Sequence, residues 1–229
     1  MINGYRIIVK TPSSKSKHYS GHFVYIISEL NSDTVFTYND YIIDTIVNHV
    51  EGDLYSLGYY TGGTCHECTA DMLLLLKKNK FKKIGDFQDA KDLNGDGKKE
   101  YLIINEVWCD FLSHAAIPDY NCIFILNKSY EFIESYTLEI LYYKSKLNNV
   151  ISKLFNTTKK ELLEKDYADI MLMTYHCKKH NLFWQLEKIK SLIKSKRLSF
   201  RSNERVNGFQ ETLDDMEKIN VESISFSSN

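Results

Sequence analysis

The chain has 229 residues, 43% of them apolar, and sets 29 Lys and Arg against 30 Asp and Glu for a net charge of −1. That is enough apolar material for one large domain, or for a domain with an appendage, and a chain without a basic surplus is not expected to be a general nucleic-acid binder. No window approaches the roughly 20 apolar residues of a membrane-spanning helix. The five cysteines are too sparse for a disulfide-built scaffold, and their odd number leaves one thiol over in any intramolecular pairing.

The opening MINGYRIIVK lacks the long apolar segment of a secretory signal. A cytoplasmic location is the expectation as the chain stands, and a periplasmic or extracytoplasmic one if its start is processed or incomplete. From there to about residue 143 the pattern is that of strands. YRIIV at 5–9 and HFVYIIS at 22–28 are β-branched runs separated by the Ser- and Lys-rich TPSSKSKHYSG, a loop. Further strands are expected at 35–38, 41–47 and 53–60, the last ending at Gly62-Gly63. ADMLLLLK at 70–77 is continuously apolar, which fits a buried strand or a helix segment. The polar turn at Lys78 to Lys80 before FKKIGDF favours a hairpin. Residues 101–107 and NCIFIL at 121–126 are the clearest strands, with one more expected at 132–141.

Helical spacing takes over after about residue 143. Leu147, Val150, Ile151, Leu154 and Phe155 recur on one face. Thr158 stands three residues before Glu161, the spacing of a capping box, and predicts a helix running to about Lys179. His180-Asn181 breaks it, and Phe183, Leu186, Ile189 and Ile193 mark a second helix over 182–196, so the pair reads as a helical hairpin. From Ser199 the chain is polar, with a short helix expected at 211–219 and a partly mobile end. The expected fold is therefore α+β. A mainly antiparallel β part over 1–143, built as a meander or partial propeller, is followed by a helical hairpin over 144–198 and a polar tail over 199–229.

The most informative stretch is DLNGDGKKE at 92–100. Asp92, Asn94, Asp96 and Glu100 offer oxygen at the first, third, fifth and ninth positions, Lys98 offers its backbone carbonyl at the seventh, and Gly97 permits the sharp turn at the sixth. Hard cations such as Ca²⁺ take six to eight oxygens, and this spacing wraps them around one point. The front matches the EF-hand pattern, but the twelfth position is Ile103 where a bidentate Glu is needed, and a strand follows instead of a helix. A plain surface turn is the alternative, since Asp, Asn and Gly favour turns for their own reasons.

DLNGDGKKEYLI resembles the Asp-rich calcium loop of FG-GAP/VCBS-type repeats, which build integrin-like β-propellers. YYTGGTCHEC at 59–68 is similar to the Gly-Gly-x-x-Cys segment that precedes such a loop in a group of uncharacterised bacterial proteins, and SHAAIP at 113–118 to a segment that follows it. The resemblance covers about residues 50–135. It implies extracytoplasmic, calcium-stabilised β structure without established catalysis. One loop of this kind is intact rather than several, and the length allows only a few blades, so a complete propeller is not expected.

Cys65 and Cys68 form a C-x-x-C pair, and Cys109 and Cys122 bracket a short connection between two strands. The four residues could make a zinc site, although the second spacing is unusual for one. Cys65 and Cys68 could be a redox pair, Cys109 and Cys122 could meet in a disulfide, or all four could be buried thiols. His176 and His180, four apart on a helix, are expected near its C-terminus as solvated or interfacial side chains rather than metal ligands. Asp110, Ser113 and His114 are the residue types of a hydrolytic triad, but nothing marks an activated serine. The expectation is a non-enzymatic, calcium-binding structural or interaction module whose protein or surface partner and oligomeric state the residues do not name. The alternatives are a zinc- or thiol-dependent protein using Cys65 and Cys68, and an intracellular interaction protein that recognises its partner through the helices.

Overall fold

The structure, a computed structural model, describes residues 4–10, 22–40, 42–60, 69–107, 112, 118–202 and 206–221. The chain divides into two compact units, Met1–Ile103 with Phe124–Glu134 and Ile104–Ile123 with Ser135–Asn229.

The first unit is built from antiparallel neighbours in chain order. Strands β1 (Tyr5–Lys10), β2 (His22–Ser28) and β3 (Thr34–Asp40) form one sheet. A second sheet is the meander β4 (Ile42–Glu51), β5 (Leu54–Tyr60), β6 (Thr69–Lys77) and β7 (Lys80–Phe87). A third has the order β11-β10-β9-β8, from β8 (Asp89–Lys91), β9 (Glu100–Glu106), β10 (Asp119–Leu126) and β11 (Phe132–Glu134), and the chain passes between the units within β9 and β10.

The run at 70–77 is a strand, and Met72 to Leu75 are all buried along it. Successive strand side chains point to opposite faces, so a run buried without alternation is a strand covered on both. One face of β6 carries Met72 and Leu74 into a cluster with Tyr5, Val24, Ile26, Tyr55, Leu57 and Phe81. Phe81 meets Tyr5 and Tyr55 edge to face, at centroid distances of 5.2 and 5.4 Å. The expected hairpin is present: Lys77 pairs with Lys80, and Lys78 and Asn79 both have positive φ, as a two-residue hairpin turn of the primed type requires.

In the second unit, α1 (Tyr136–Asn156) buries Glu139, Tyr143, Leu147, Val150 and Leu154 along one stripe. The strand expected at 132–141 thus ends at Glu134, and the boundary expected between 143 and 144 falls inside this helix. The helix expected from Thr158 begins later, as α2 (Glu164–Lys179). Glu161–Leu163 is instead the short strand β12, parallel to β13 (Ser199–Arg201), which pairs in turn with β14 (Val206–Asn207). Tertiary pairing overrides the local capping signal at Thr158, and Asp166 takes over the terminus by accepting Leu163 N at 3.3 Å.

α2 is buried almost all round, from Ile170 to Cys177 without a break. α3 (Phe183–Lys196) follows closely, the connection turning at Asn181 with φ 56° and Leu182 N donating to Cys177 O at 2.8 Å. The hairpin is therefore present, with α1 packed against both of its helices. The stretch expected as a polar tail contributes β13, β14 and α4 (Phe209–Lys218), the last close to the short helix expected there.

Candidate functional site

The Asp-rich loop joins β8 to β9, and its backbone is organised by its own side chains. Asp92 Oδ1 accepts Gly95 N at 2.7 Å and Asp96 N at 3.2 Å, and Oδ2 accepts Gly97 N at 2.9 Å. Asn94 Oδ1 accepts Asp96 N at 2.8 Å, and Asp96 Oδ1 accepts Lys98 N at 2.9 Å. The bond from Gly97 and those from its neighbours hold the exposed Asp92 carboxyl below its usual range, against a smaller opposing contribution from burial. Gly95 and Gly97 have φ of 78° and 83°, the left-handed region where glycine is free of the Cβ penalty.

Glu100, at the ninth position, is the first residue of β9 and is 2% exposed. Its carboxylate turns back into the loop, Oε2 accepting Leu93 N at 2.6 Å and Oε1 accepting Asn94 Nδ2 at 3.2 Å. The same Asn94 amide donates to Asp96 Oδ2 at 3.3 Å, so its hydrogens stand between two carboxylates. Asp92, Asp96 and Glu100 do not each bring an oxygen within 4.8 Å of the other two. Their like charges are instead bridged by backbone and amide donors. Lys98 is exposed, with its backbone turned into the loop through its N–H. A hard cation taken at this loop would gather oxygens from Asp92, Asn94, Asp96 and Glu100, and Asn94 would turn its Oδ1 toward the ion in place of its amide hydrogens.

Of the cysteines considered for zinc or a disulfide, Cys65, Cys68 and Cys109 lie outside the described residues, as do Asp110, Ser113 and His114. Cys122 is buried on β10, and Lys179 Nζ donates to its sulfur at 3.1 Å. Cys177, inside α2, is buried among apolar groups that push its thiol up to about 12, which makes it an inert core residue.

The second unit holds an ionic cluster the sequence did not announce. Glu139, 0% exposed on α1, accepts Ile123 N at 3.1 Å and Lys179 Nζ at 3.0 Å, and lies 2.9 Å from His180 Nε2. Burial alone would raise its pKa, but the bond from His180, the Lys179 ammonium and the Ile123 N–H together hold it below the usual carboxylate range. Tyr120 Oη lies 2.9 Å from His176 Nδ1 and 3.1 Å from His180 Nε2, and its ring stacks on Tyr143 at 4.7 Å. Lys179 sits over the Tyr120 ring at 5.0 Å.

The expectation that His176 and His180 are solvated or interfacial is therefore corrected: the side chains are 0% and 2% exposed. The signal that could have found them is their place at the end of IMLMTY at 170–175, a stretch that is apolar round the whole helix but for Thr174. Such a helix is central, and polar groups on it must be paired inside the protein. A groove of about 520 Å³ in this unit lies away from the cluster, between Asn156 and Asp166.

No helix of the described residues is long and apolar enough to cross a membrane. No family model, curated protein or solved structure matches the chain.

Proposed function

We propose that the chain is a non-enzymatic calcium-binding module in which the loop at 92–100 takes one Ca²⁺ through Asp92, Asn94, Asp96, the Lys98 carbonyl and Glu100, and so braces the β8–β9 connection. The observation that carries this reading is the return of the buried Glu100 carboxylate onto residues 93 and 94, which closes the loop at its ninth position. Two four-stranded sheets of chain neighbours are compatible with the FG-GAP/VCBS-type resemblance, since propeller blades are sheets of that size. The role is structural, because a cage made of protein oxygens leaves little room for substrate and no acid–base pair stands beside it among the described residues.

Partner binding belongs to the same proposal. Phe183 and Trp184, adjacent at the start of α3, are 61% and 71% exposed, and exposed aromatics of this kind anchor protein contacts. Isothermal titration of metal-stripped protein with CaCl₂ tests the calcium reading. One site with a Kd between about 10⁻⁶ and 10⁻³ M, lost in Asp96→Ala, is the expected result. A wild-type chain that releases no binding heat at millimolar calcium, and shows no bound ion by equilibrium dialysis, would refute it.

A further inference from the structure

The last turn of α2 carries two imidazoles in unlike surroundings. His180 has a carboxylate beside it, Glu139 Oε2 at 2.9 Å. His176 has Tyr120 Oη at 2.9 Å on Nδ1, while its Nε2 meets no hydrogen-bond partner among the described residues. The groups facing His176 within this unit are Tyr120 from β10, Glu139 and Tyr143 from α1, and Lys179 and His180 from α2 and its C-terminal cap. Glu139 is the one acid among them, and Lys179 and His180 already engage it. A proton on His176 therefore adds positive charge at a position with no exposure, next to an ammonium and a second imidazole, with Glu139 opposing only part of the cost.

We propose that His176 and His180 form an acid-operated latch, in which protonating His176 drives the last turn of α2 off Tyr120 and Glu139 and loosens the packing of α1 on α2. Burial, then the neighbouring His180 and Lys179, outweigh Glu139 and push His176 from 6.5 down to about 4. The unfolded or opened chain takes the proton first, so the closed form is unaffected above about 6.5 and loses ground progressively as the pH falls to about 4. The latch needs nothing from the calcium loop, so the two proposals stand or fall separately.

The test is an imidazole NMR titration of the full chain from pH 8 to 3.5, with the near-ultraviolet tyrosine circular dichroism followed in parallel. The latch predicts that His176 stays neutral in the closed form and gains its proton only as the tyrosine signal is lost. That step should fall between about pH 6.5 and 4. His176→Gln should move it down by roughly half to one pH unit, while His49→Gln, at an exposed position, should leave it in place. Three results would overturn the latch: a His176 that titrates with the tyrosine signal intact, a wild-type signal that survives to pH 4, or a His176→Gln midpoint equal to that of the wild type, which would assign the opening to carboxylates. If His176→Gln does not fold, the wild-type titration alone decides.

Discussion

A buried carboxylate such as Glu139 is tolerated because every charge near it is answered. It takes Lys179 at 3.0 Å, His180 at 2.9 Å and the Ile123 N–H at 3.1 Å, and nothing of it is exposed. Glu139→Gln keeps the shape and removes the buried charge that Lys179 and His180 engage. A loss of about 3–5 kcal/mol is expected, read from the urea midpoint at pH 7. The loop at 92–100 makes a contrasting case. Gly97 has φ 83°, and nothing lies within 4 Å of the place a Cβ would occupy, so the strain of a side chain there is purely conformational. Gly97→Ala should cost about 1–2 kcal/mol in thermal unfolding, with or without added metal. The loop was legible because each of its residues has a local reason to be where it is. The ionic cluster was not, because Glu139 and the two histidines sit at ordinary helical spacings, and their partners are as far away in the chain as Tyr120 is from His176.

Elements declared themselves where local chemistry and tertiary pairing agree. The Lys78-Asn79 turn and the apolar β6 are such cases, and so is the break at His180-Asn181, where Asn181 takes a left-handed conformation. They misled where long-range pairing wins. Glu161 sits where a capping box was expected, yet it pairs with Ser199 in a parallel ladder whose partner lies beyond two helices. The start of α1 was hidden because Tyr136 and Thr137, with the β-branched Ile140 nearby, favour strands on propensity alone. Gly85 shows how tightly a strand position can be held. A Cβ there would lie 2.7 and 2.9 Å from two atoms of the Phe132 ring, which is itself packed against Tyr101 and Phe124. Gly85→Ala should destabilise the chain by about 1–3 kcal/mol, measured as a lowered urea midpoint with an unchanged slope.

At the scale of the molecule, the α+β class and the antiparallel meander before a helical part are those the residue pattern implies. Alternation and the switch to helical spacing are averaged over many positions and survive local exceptions. The division into units was less accessible, because the chain crosses between them within β9 and β10, strands whose apolar runs look uniform from end to end. The proposed function also belongs to this scale. If calcium binds the native loop and the unfolded chain has no comparable site, the ion stabilises the whole fold by mass action, in proportion to the logarithm of its concentration over Kd. The most direct measurement is a thermal melt of metal-stripped protein with and without millimolar CaCl₂, run beside Asp96→Ala. The account predicts a melting temperature that rises with calcium in the wild type, by several degrees if Kd lies well below a millimolar, and does not move in Asp96→Ala. Equal melting temperatures in the wild type with and without calcium would contradict it.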